Sequence, residues 1–119
     1  MLYYDISPRV EAFSTEICDS CSFDVVMPQH QGHTALVRKV PEELGDITGV
    51  DALITDRRGL RIGVKSADCV PILLFDPVCG AVAAIHSGWK GTLKNIAAAA
   101  SGRMSAEFGT RRCDLKAVI

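Results

Sequence analysis

One cysteine and two histidines carry the side-chain chemistry of a metal centre. His33 lies in a Gln-Gly-His-Thr segment, Cys69 follows Ala-Asp, and His86 begins a His-Ser-Gly-Trp-Lys-Gly segment. A thiolate with imidazoles is a ligand set typical of zinc, and three protein ligands leave the fourth tetrahedral position open for water, as in catalytic sites. Cys69 and His86 flank two apolar segments, so an antiparallel pair of strands would bring them to the same end of a sheet.

Each of these residues also has a purely structural interpretation. A cysteine beside a buried strand often acts as a small hydrophobic side chain, and a histidine at a strand end can be simply hydrogen-bonded. His30 lies three residues before His33, and the sequence alone ranks the two equally as ligands. Asp68 would face away from Cys69 within a strand, so a general acid or base role for Asp68 requires a kink in the backbone.

A second arrangement of cysteines and histidines competes with this site. Cys18 and Cys21 form a Cys-x2-Cys pair that, with His30 and His33, could make a closed structural zinc site. Both gaps in that set are shorter than the finger spacings of about 12 and 3–5 residues. A redox pair is less favoured, because no helical pattern follows Cys21 to activate a thiol.

The segment from Gly88 to Thr92 could bind an anion. Backbone N–H groups at the start of a helix, together with Lys90 and the small residue Gly91, would form a site for phosphate. The spacing of a Walker loop is absent. The alternative is a glycine-rich turn with Trp89 packed in the core.

The elements that would position these residues are short strands and one helix. Continuous apolar character predicts that residues 70–75 form a central strand covered on both faces, and that residues 81–85 form a second buried strand leading to His86. Apolar residues at helical spacing predict a helix over 92–108 that ends at Gly109. Further predicted strands are 23–27, 35–40 and 115–119, with a loop at 41–49 and a hairpin of 52–55 with 60–64.

Length and composition bound the class of protein. The chain has 119 residues, 13 basic against 14 acidic, and a formal net charge of −1. A single domain over residues 1–119 is expected, and neither nucleic acid nor a membrane is the expected partner, because both attract basic surfaces. The chain has 5 cysteines, an odd number, and no signal-peptide pattern, which favours the cytoplasm. The longest apolar segments are far shorter than the roughly 20 residues of a membrane-spanning helix.

Three ordered segments, residues 49–56, 67–77 and 83–92, carry a resemblance to a known family. They read GVDALITD, ADCVPILLFDP and AAIHSGWKGT. The chain from about residue 23 to 119 closely resembles the bacterial family described as laccase-like polyphenol oxidase, which is regarded as comprising purine nucleoside phosphorylase and adenosine deaminase proteins and is related to peptidoglycan editing factor.

The resemblance implies a zinc site made by His33, Cys69 and His86, in an α+β fold with a mixed sheet and layered helices. Ser87 and Lys90 stand where the family usually has Ala and Arg. The implied activity is zinc-dependent processing of purine nucleosides. We take Cys69, His86 and Asp68 as the candidate catalytic residues. Deamination would displace the amino group at purine C6, and phosphorolysis would use phosphate held near Lys90. Copper-dependent phenol oxidation is the lesser alternative, because several copper ions need more histidines than the 3 present.

Two departures from the family pattern qualify this expectation. Family members run considerably longer, so the chain is expected to cover the N-terminal half of the fold. The family also carries a Thr-Arg-x-Gly-Gly segment near the N-terminus, whereas here Thr15 is followed by Glu16. The rival hypothesis is a catalytically silent fragment or subunit, which forms a homo-oligomer through the edge of the C-terminal strand.

Overall fold

The computed structural model describes residues 2–15, 25–32, 34–43, 45–66 and 69–119. Seven strands, two α-helices and a 3-10 turn lie within these ranges. In chain order they are β1 (Leu2–Ser7), β2 (Val10–Ser14), β3 (Val37–Lys39), β4 (Ala52–Thr55), β5 (Val70–Phe75), β6 (Val82–Ser87), α1 (Trp89–Leu93), α2 (Ile96–Phe108), the 3-10 turn Arg112–Asp114 and β7 (Lys116–Val118).

A five-stranded mixed sheet organises the described residues. Its strand order is β3-β4-β6-β5-β7, with β6 in the middle. β3 and β4 are parallel, and every other neighbouring pair is antiparallel. β1 and β2 form a separate antiparallel hairpin. The sheet with its packed helices confirms the predicted α+β class.

The two faces of the sheet bury different clusters. On one face α2 places Ile96, Ala100 and Met104 against alternate residues of β4 and β6, which include Ile54 and Ile85. On the other face Leu53 packs with Val40 and Ile47, which lie in the segment that connects β3 to β4. Because side chains alternate along a strand, His86 lies on the face opposite to Ile85 and α2.

The turn between β5 and β6 sets the register of the two strands. The backbone N–H of Asp76 donates to the carbonyl of Ala81 at 2.9 Å, and that of Gly80 donates to the carbonyl of Asp76 at 2.8 Å. Gly80 has φ +79, a left-handed conformation that glycine adopts without steric cost. The Asp76 carboxylate also accepts a hydrogen bond from the backbone N–H of Val78 and one from the Cys79 thiol. This closed turn places Pro71 opposite His86.

The predicted helix over 92–108 is confirmed from Ile96 to Phe108, but its continuity from residue 92 is wrong, because the described residues form two helices here. α1 ends at Leu93 and α2 begins at Ile96. Between them Asn95 adopts φ 55 and ψ 52, a left-handed conformation that breaks the helical backbone. Asparagine tolerates this region better than most residues, a local signal that the apolar periodicity concealed. The predicted end at Gly109 is confirmed, since Gly109 caps α2 with φ 72.

Two strand predictions are corrected. Residues 60–64 form no strand beside β4, because Ala52 and its neighbours pair with β6 instead. Only an isolated bridge joins Val26 to Ile62 in this part of the described chain. β5 was expected to be central and covered on both faces, but β6 takes the middle position and Val70 at the start of β5 is 44% exposed.

The remaining strand predictions vary in outcome. The segments predicted at 35–40 and 115–119 contain the shorter strands β3 and β7, and the segment at 81–85 corresponds to β6. Of the segment 23–27, residues 23 and 24 lie outside the described ranges. The β1–β2 hairpin was not anticipated by the sequence analysis. Neither helix in the described residues has the length and apolar composition that crossing a membrane requires.

Asp76 gives a pH-dependent test of the turn. Burial alone raises the pKa of its carboxyl, but the hydrogen bonds from Cys79, Val78 and Thr110 outweigh it, so that the pKa lies below the ordinary value of 3.8. The ionised form therefore stabilises the fold above that pH, and this contribution is lost as the pH falls through the lowered pKa. We expect Asp76→Asn to lower the free energy of unfolding by about 1–3 kcal/mol at neutral pH.

Urea unfolding followed by circular dichroism measures the effect. The difference between wild type and Asp76→Asn should shrink as the pH falls from 3.8 through the lowered pKa of the native carboxyl, because the wild-type carboxylate becomes protonated over that range. Asp56→Asn is the matched control, because Asp56 is exposed and should change stability little. A difference that stays constant over the whole pH range would contradict this role for Asp76.

Candidate functional site

The register of β4 and β6 brings an aspartate directly opposite His86. Ala52 pairs with Ile85 in this antiparallel ladder, so the next pair along it is Asp51 with His86. The backbone N–H of His86 donates to the carbonyl of Asp51 at 2.6 Å, which extends the ladder by one bond. The two side chains therefore leave neighbouring strands on the same face of the sheet.

Asp51 and His86 form a buried side-chain pair. Nδ1 of His86 lies 2.9 Å from Oδ1 of Asp51, and the two residues are 3% and 0% exposed. The other carboxylate oxygen, Oδ2, accepts the backbone N–H of Thr34 at 2.6 Å and the Thr34 hydroxyl at 2.9 Å. Both carboxylate oxygens are thus engaged, and the aspartate is held in one orientation.

This pairing determines which nitrogen of His86 can bind a metal. An ionised carboxylate only accepts hydrogen bonds, so Nδ1 carries the proton that is shared with Asp51. Nε2 is then the nitrogen whose lone pair can coordinate a cation. Histidines that ligate metals characteristically donate their other ring N–H to a carboxylate or carbonyl, which fixes the tautomer and the ring orientation. The geometry of His86 and Asp51 fits that chemistry.

Cys69 lies at the same end of the sheet as His86. It immediately precedes β5, whose Val70 pairs with Ser87 and whose Pro71 pairs with His86. Cys69 is thus two residues from the direct partner of His86, a diagonal relation in which backbone positions are about 7–8 Å apart. Its thiol is free of any disulfide and the residue is partly exposed. The antiparallel pairing of β5 and β6 therefore brings these two candidate ligands to the same end of the sheet.

Most of the other predicted metal-site residues lie outside the described ranges. His33, Asp68, Cys18 and Cys21 are not among the described residues. His30 is described, is exposed, and forms an isolated bridge with Thr48. Among the residues that the structure describes, which omit His33, no group of three or more His, Cys, Asp or Glu side chains could hold a metal ion. The ligand set of His33, Cys69 and His86 stays a prediction.

The glycine-rich segment after His86 forms the start of α1. Gly88 precedes this helix and offers no side-chain cap, while Lys90, Gly91 and Thr92 lie within it. The Thr92 hydroxyl lies 2.7 Å from the Ser87 hydroxyl, which ties α1 to the end of β6. Anion binding by this segment stays a prediction. The alternative with Trp89 packed in the core is wrong, because Trp89 is 69% exposed.

An open pocket lies between α1 and the ends of β5 and β6. Its volume is about 560 Å³, and it is lined by Cys69, Val70, Ser87, Trp89, Thr92 and Leu93. A volume of this size is within the range of about 300–1,000 Å³ found for small-molecule sites. The candidate metal ligand Cys69 and the exposed indole of Trp89 thus line the same pocket.

Sequence reasoning missed Asp51 as a site residue. Asp51 precedes the apolar strand β4, and the sequence analysis paired that strand with residues 60–64. The signal for its role is the register of β4 with β6, which aligns the residue before β4 with His86. Thr34 was missed for a related reason, since it reaches Asp51 through a loop that no periodicity describes.

Solved structures of similar proteins share this fold. A hypothetical protein named YfiH from Bacillus licheniformis matches with a TM-score of 0.73 and 31% sequence identity, over 78% of this chain and 38% of that one. YlmD from Geobacillus stearothermophilus matches with a TM-score of 0.70 and 29% identity, over 78% of this chain and 37% of that one. The chain therefore spans well under half the length of these proteins.

Curated relatives match the chain over a similar part of their length. A protein of Bacteroides thetaiotaomicron named purine nucleoside phosphorylase is 49% identical over 71 residues, which is 60% of this chain and 26% of the relative. A protein named adenosine deaminase RL5, from an unknown prokaryotic organism, is 40% identical over 95 residues, which is 73% of this chain and 36% of the relative.

A family model matches nearly the whole chain. The model is described as multi-copper polyphenol oxidoreductase laccase, and it covers residues 3–119. The matched range includes both sheet strands that carry the Asp51–His86 pair, together with Cys69 and the pocket beside it. With the shared fold and the relatives above, this match shows that the chain belongs to the laccase-like family of multi-copper polyphenol oxidoreductases.

Proposed function

We propose that this chain carries a zinc site that acts on purine nucleosides, by phosphorolysis, by deamination of adenosine, or by both. The observation that carries the proposal is the buried Asp51–His86 pair, with Nδ1 of His86 2.9 Å from Oδ1 of Asp51. That pair directs Nε2 of His86 toward coordination, and Cys69 lies at the same end of the sheet. His33 is proposed as the third ligand.

The donor types favour zinc over copper. Thiolate and imidazole are both good zinc ligands, and a set of three leaves one position for a substrate or water. When bound, zinc supplies a Lewis acid that activates water at neutral pH or polarises a substrate group. A multi-copper oxidase needs many histidine ligands, and the chain has 3 histidines.

The substrate class is supported by the relatives. Two of them are named purine nucleoside phosphorylase and adenosine deaminase, and both are at least 40% identical to the chain over the aligned region. The chain spans only 26% and 36% of those proteins, so the activity of the whole relative is carried over here as part of the proposal.

The chain's own residues have distinct roles in this proposal. His86 and Cys69 hold the cation, and Asp51 is a positioning residue that fixes the orientation of the His86 ring. Asp68, next to Cys69 in the chain, is proposed to move a proton to or from the substrate. Lys90, at the start of α1, is proposed to bind the phosphate that phosphorolysis requires.

The direct functional test is an adenosine assay with and without phosphate. Chromatography of the products distinguishes the reactions, because deamination gives inosine, whereas phosphorolysis gives adenine and appears only when phosphate is added. Hypoxanthine would report the two reactions in succession. Turnover of adenosine in at least one condition is expected from the zinc-loaded chain, and no turnover in either condition would contradict the proposed activity.

Zinc content tests the ligand assignment separately from activity. We expect the purified chain to hold about one zinc ion, and both Cys69→Ala and His86→Ala to lose it, because each removes one of only three protein ligands. Elemental analysis by mass spectrometry after gel filtration measures the ratio. Cys113→Ala is the matched control, since Cys113 is an exposed free cysteine after α2. Zinc retained in the Cys69 and His86 variants would refute the assignment.

Asp51→Asn tests the orientation of His86. An asparagine amide has one acceptor oxygen in place of two, so it cannot accept both from His86 and from Thr34. We expect zinc affinity to fall by about 10- to 100-fold.

Competition with a chromophoric chelator measures this affinity, and circular dichroism checks that the variant remains folded. Asp5→Asn in the exposed part of β1 serves as the matched control and should bind zinc as the wild type does. Unchanged affinity in a folded Asp51→Asn variant would show that the pair does not position a ligand.

A further inference from the structure

Trp89 is an exposed aromatic side chain on the wall of a pocket. Its exposed fraction is 69%, although tryptophan is generally well buried, and it is the only tryptophan in the chain. The indole lines the pocket of about 560 Å³ together with Cys69, and Leu93 from the next turn of α1 extends the apolar surface. A large exposed aromatic surface beside a candidate ligand has the character of a binding surface.

The surroundings of the ring suit a planar, polar ligand. The Lys90 ammonium lies 5.4 Å from the centre of the Trp89 ring, so a positive charge accompanies the aromatic surface. On the β6 side, the paired hydroxyls of Ser87 and Thr92 line the same pocket and can hydrogen-bond with a ligand. The pocket thus combines an aromatic surface with hydroxyl groups, which is the combination that a purine base and its sugar would use.

The position of Cys69 connects this pocket with the candidate metal site. Ser87 and Val70 face the helical side of the sheet, and His86 lies on the opposite face. Cys69 immediately precedes β5, borders the pocket, and lies diagonally across the strand pair from His86. A ligand in this pocket would therefore contact both Trp89 and the candidate metal ligand Cys69.

We propose that Trp89 is the platform on which the purine base of the substrate stacks, and that it determines specificity for bases over sugars alone. This inference rests on the proposed function, because it names the contact that recognises the base in the same site. Stacking of a base on an aromatic side chain is sequence-tolerant, since every purine presents a π face. Trp89 would therefore accept both adenosine and inosine.

The single tryptophan gives this contact its own spectroscopic signal. Inosine added to the zinc-loaded chain should quench the fluorescence of Trp89, excited at the red edge of the indole band where purines do not absorb. Ribose, which lacks both the base and the phosphate proposed to bind Lys90, should leave the fluorescence unchanged. Isothermal titration calorimetry measures inosine binding independently of the indole signal.

Variants separate stacking from general packing. Trp89→Ala should weaken inosine binding by about 10-fold or more, and Trp89→Phe should recover most of the affinity, because a phenyl ring also stacks. Val78→Ala is the matched control, since Val78 is 72% exposed but lies in the turn at the opposite end of β5 and β6. Circular dichroism confirms that each variant is folded.

The outcomes distinguish this inference from the proposed function. Quenching by inosine, together with loss in Trp89→Ala and recovery in Trp89→Phe, supports the stacking platform. Inosine binding by calorimetry that leaves the indole fluorescence and the Trp89→Ala affinity unchanged overturns the platform and leaves the proposed function standing. An absence of inosine binding to the wild-type chain would overturn the platform, and the adenosine assay then decides separately whether the proposed function stands.

Discussion

A buried hydrogen bond joins Asp51, the residue before β4, to the imidazole of His86 near the end of β6. The pair lies almost entirely out of solvent, where an unpaired carboxylate would be costly. The carboxylate is satisfied by His86 on one oxygen and by the backbone and hydroxyl of Thr34 on the other. The site therefore depends on three chain segments meeting at one end of the sheet, and the loss of any of them would leave a buried polar group without its partner.

The position of this pair is a consequence of strand register. A shift of one residue between antiparallel strands moves every side chain to the other face, which would carry His86 away from Asp51. Pairing with β4 fixes the register on one side of β6. On the other side, the turn at Asp76 and Gly80 fixes the register of β6 with β5. The turn at the far end of the hairpin thus helps to place Cys69 near His86. Stability of the fold and geometry of the site are linked through these two ladders.

Parts of the architecture that depend on local pattern could be predicted from the sequence. The apolar segments predicted β5 and β6 as two consecutive buried strands, and Gly109 predicted the end of α2. The break between α1 and α2 could not be predicted from the apolar periodicity, because the left-handed Asn95 leaves that periodicity intact. The partner of β4 was assigned wrongly because a charged turn at 56–59 resembles a hairpin, whereas the true partner β6 lies much further along the chain. Asp51 was missed with it, since its role exists only in the correct pairing.

The tautomer of His86 tests most directly whether Asp51 orients this ring for metal coordination through Nε2. Long-range nitrogen–proton NMR correlations of the histidine rings in the zinc-loaded chain distinguish the two nitrogens, and His86→Ala assigns the signals. The account predicts a proton on Nδ1, toward Asp51, and a metal-bound Nε2 without a proton. A proton on Nε2 with an unprotonated Nδ1 would contradict the role of Asp51 and, with it, the proposed coordination by His86.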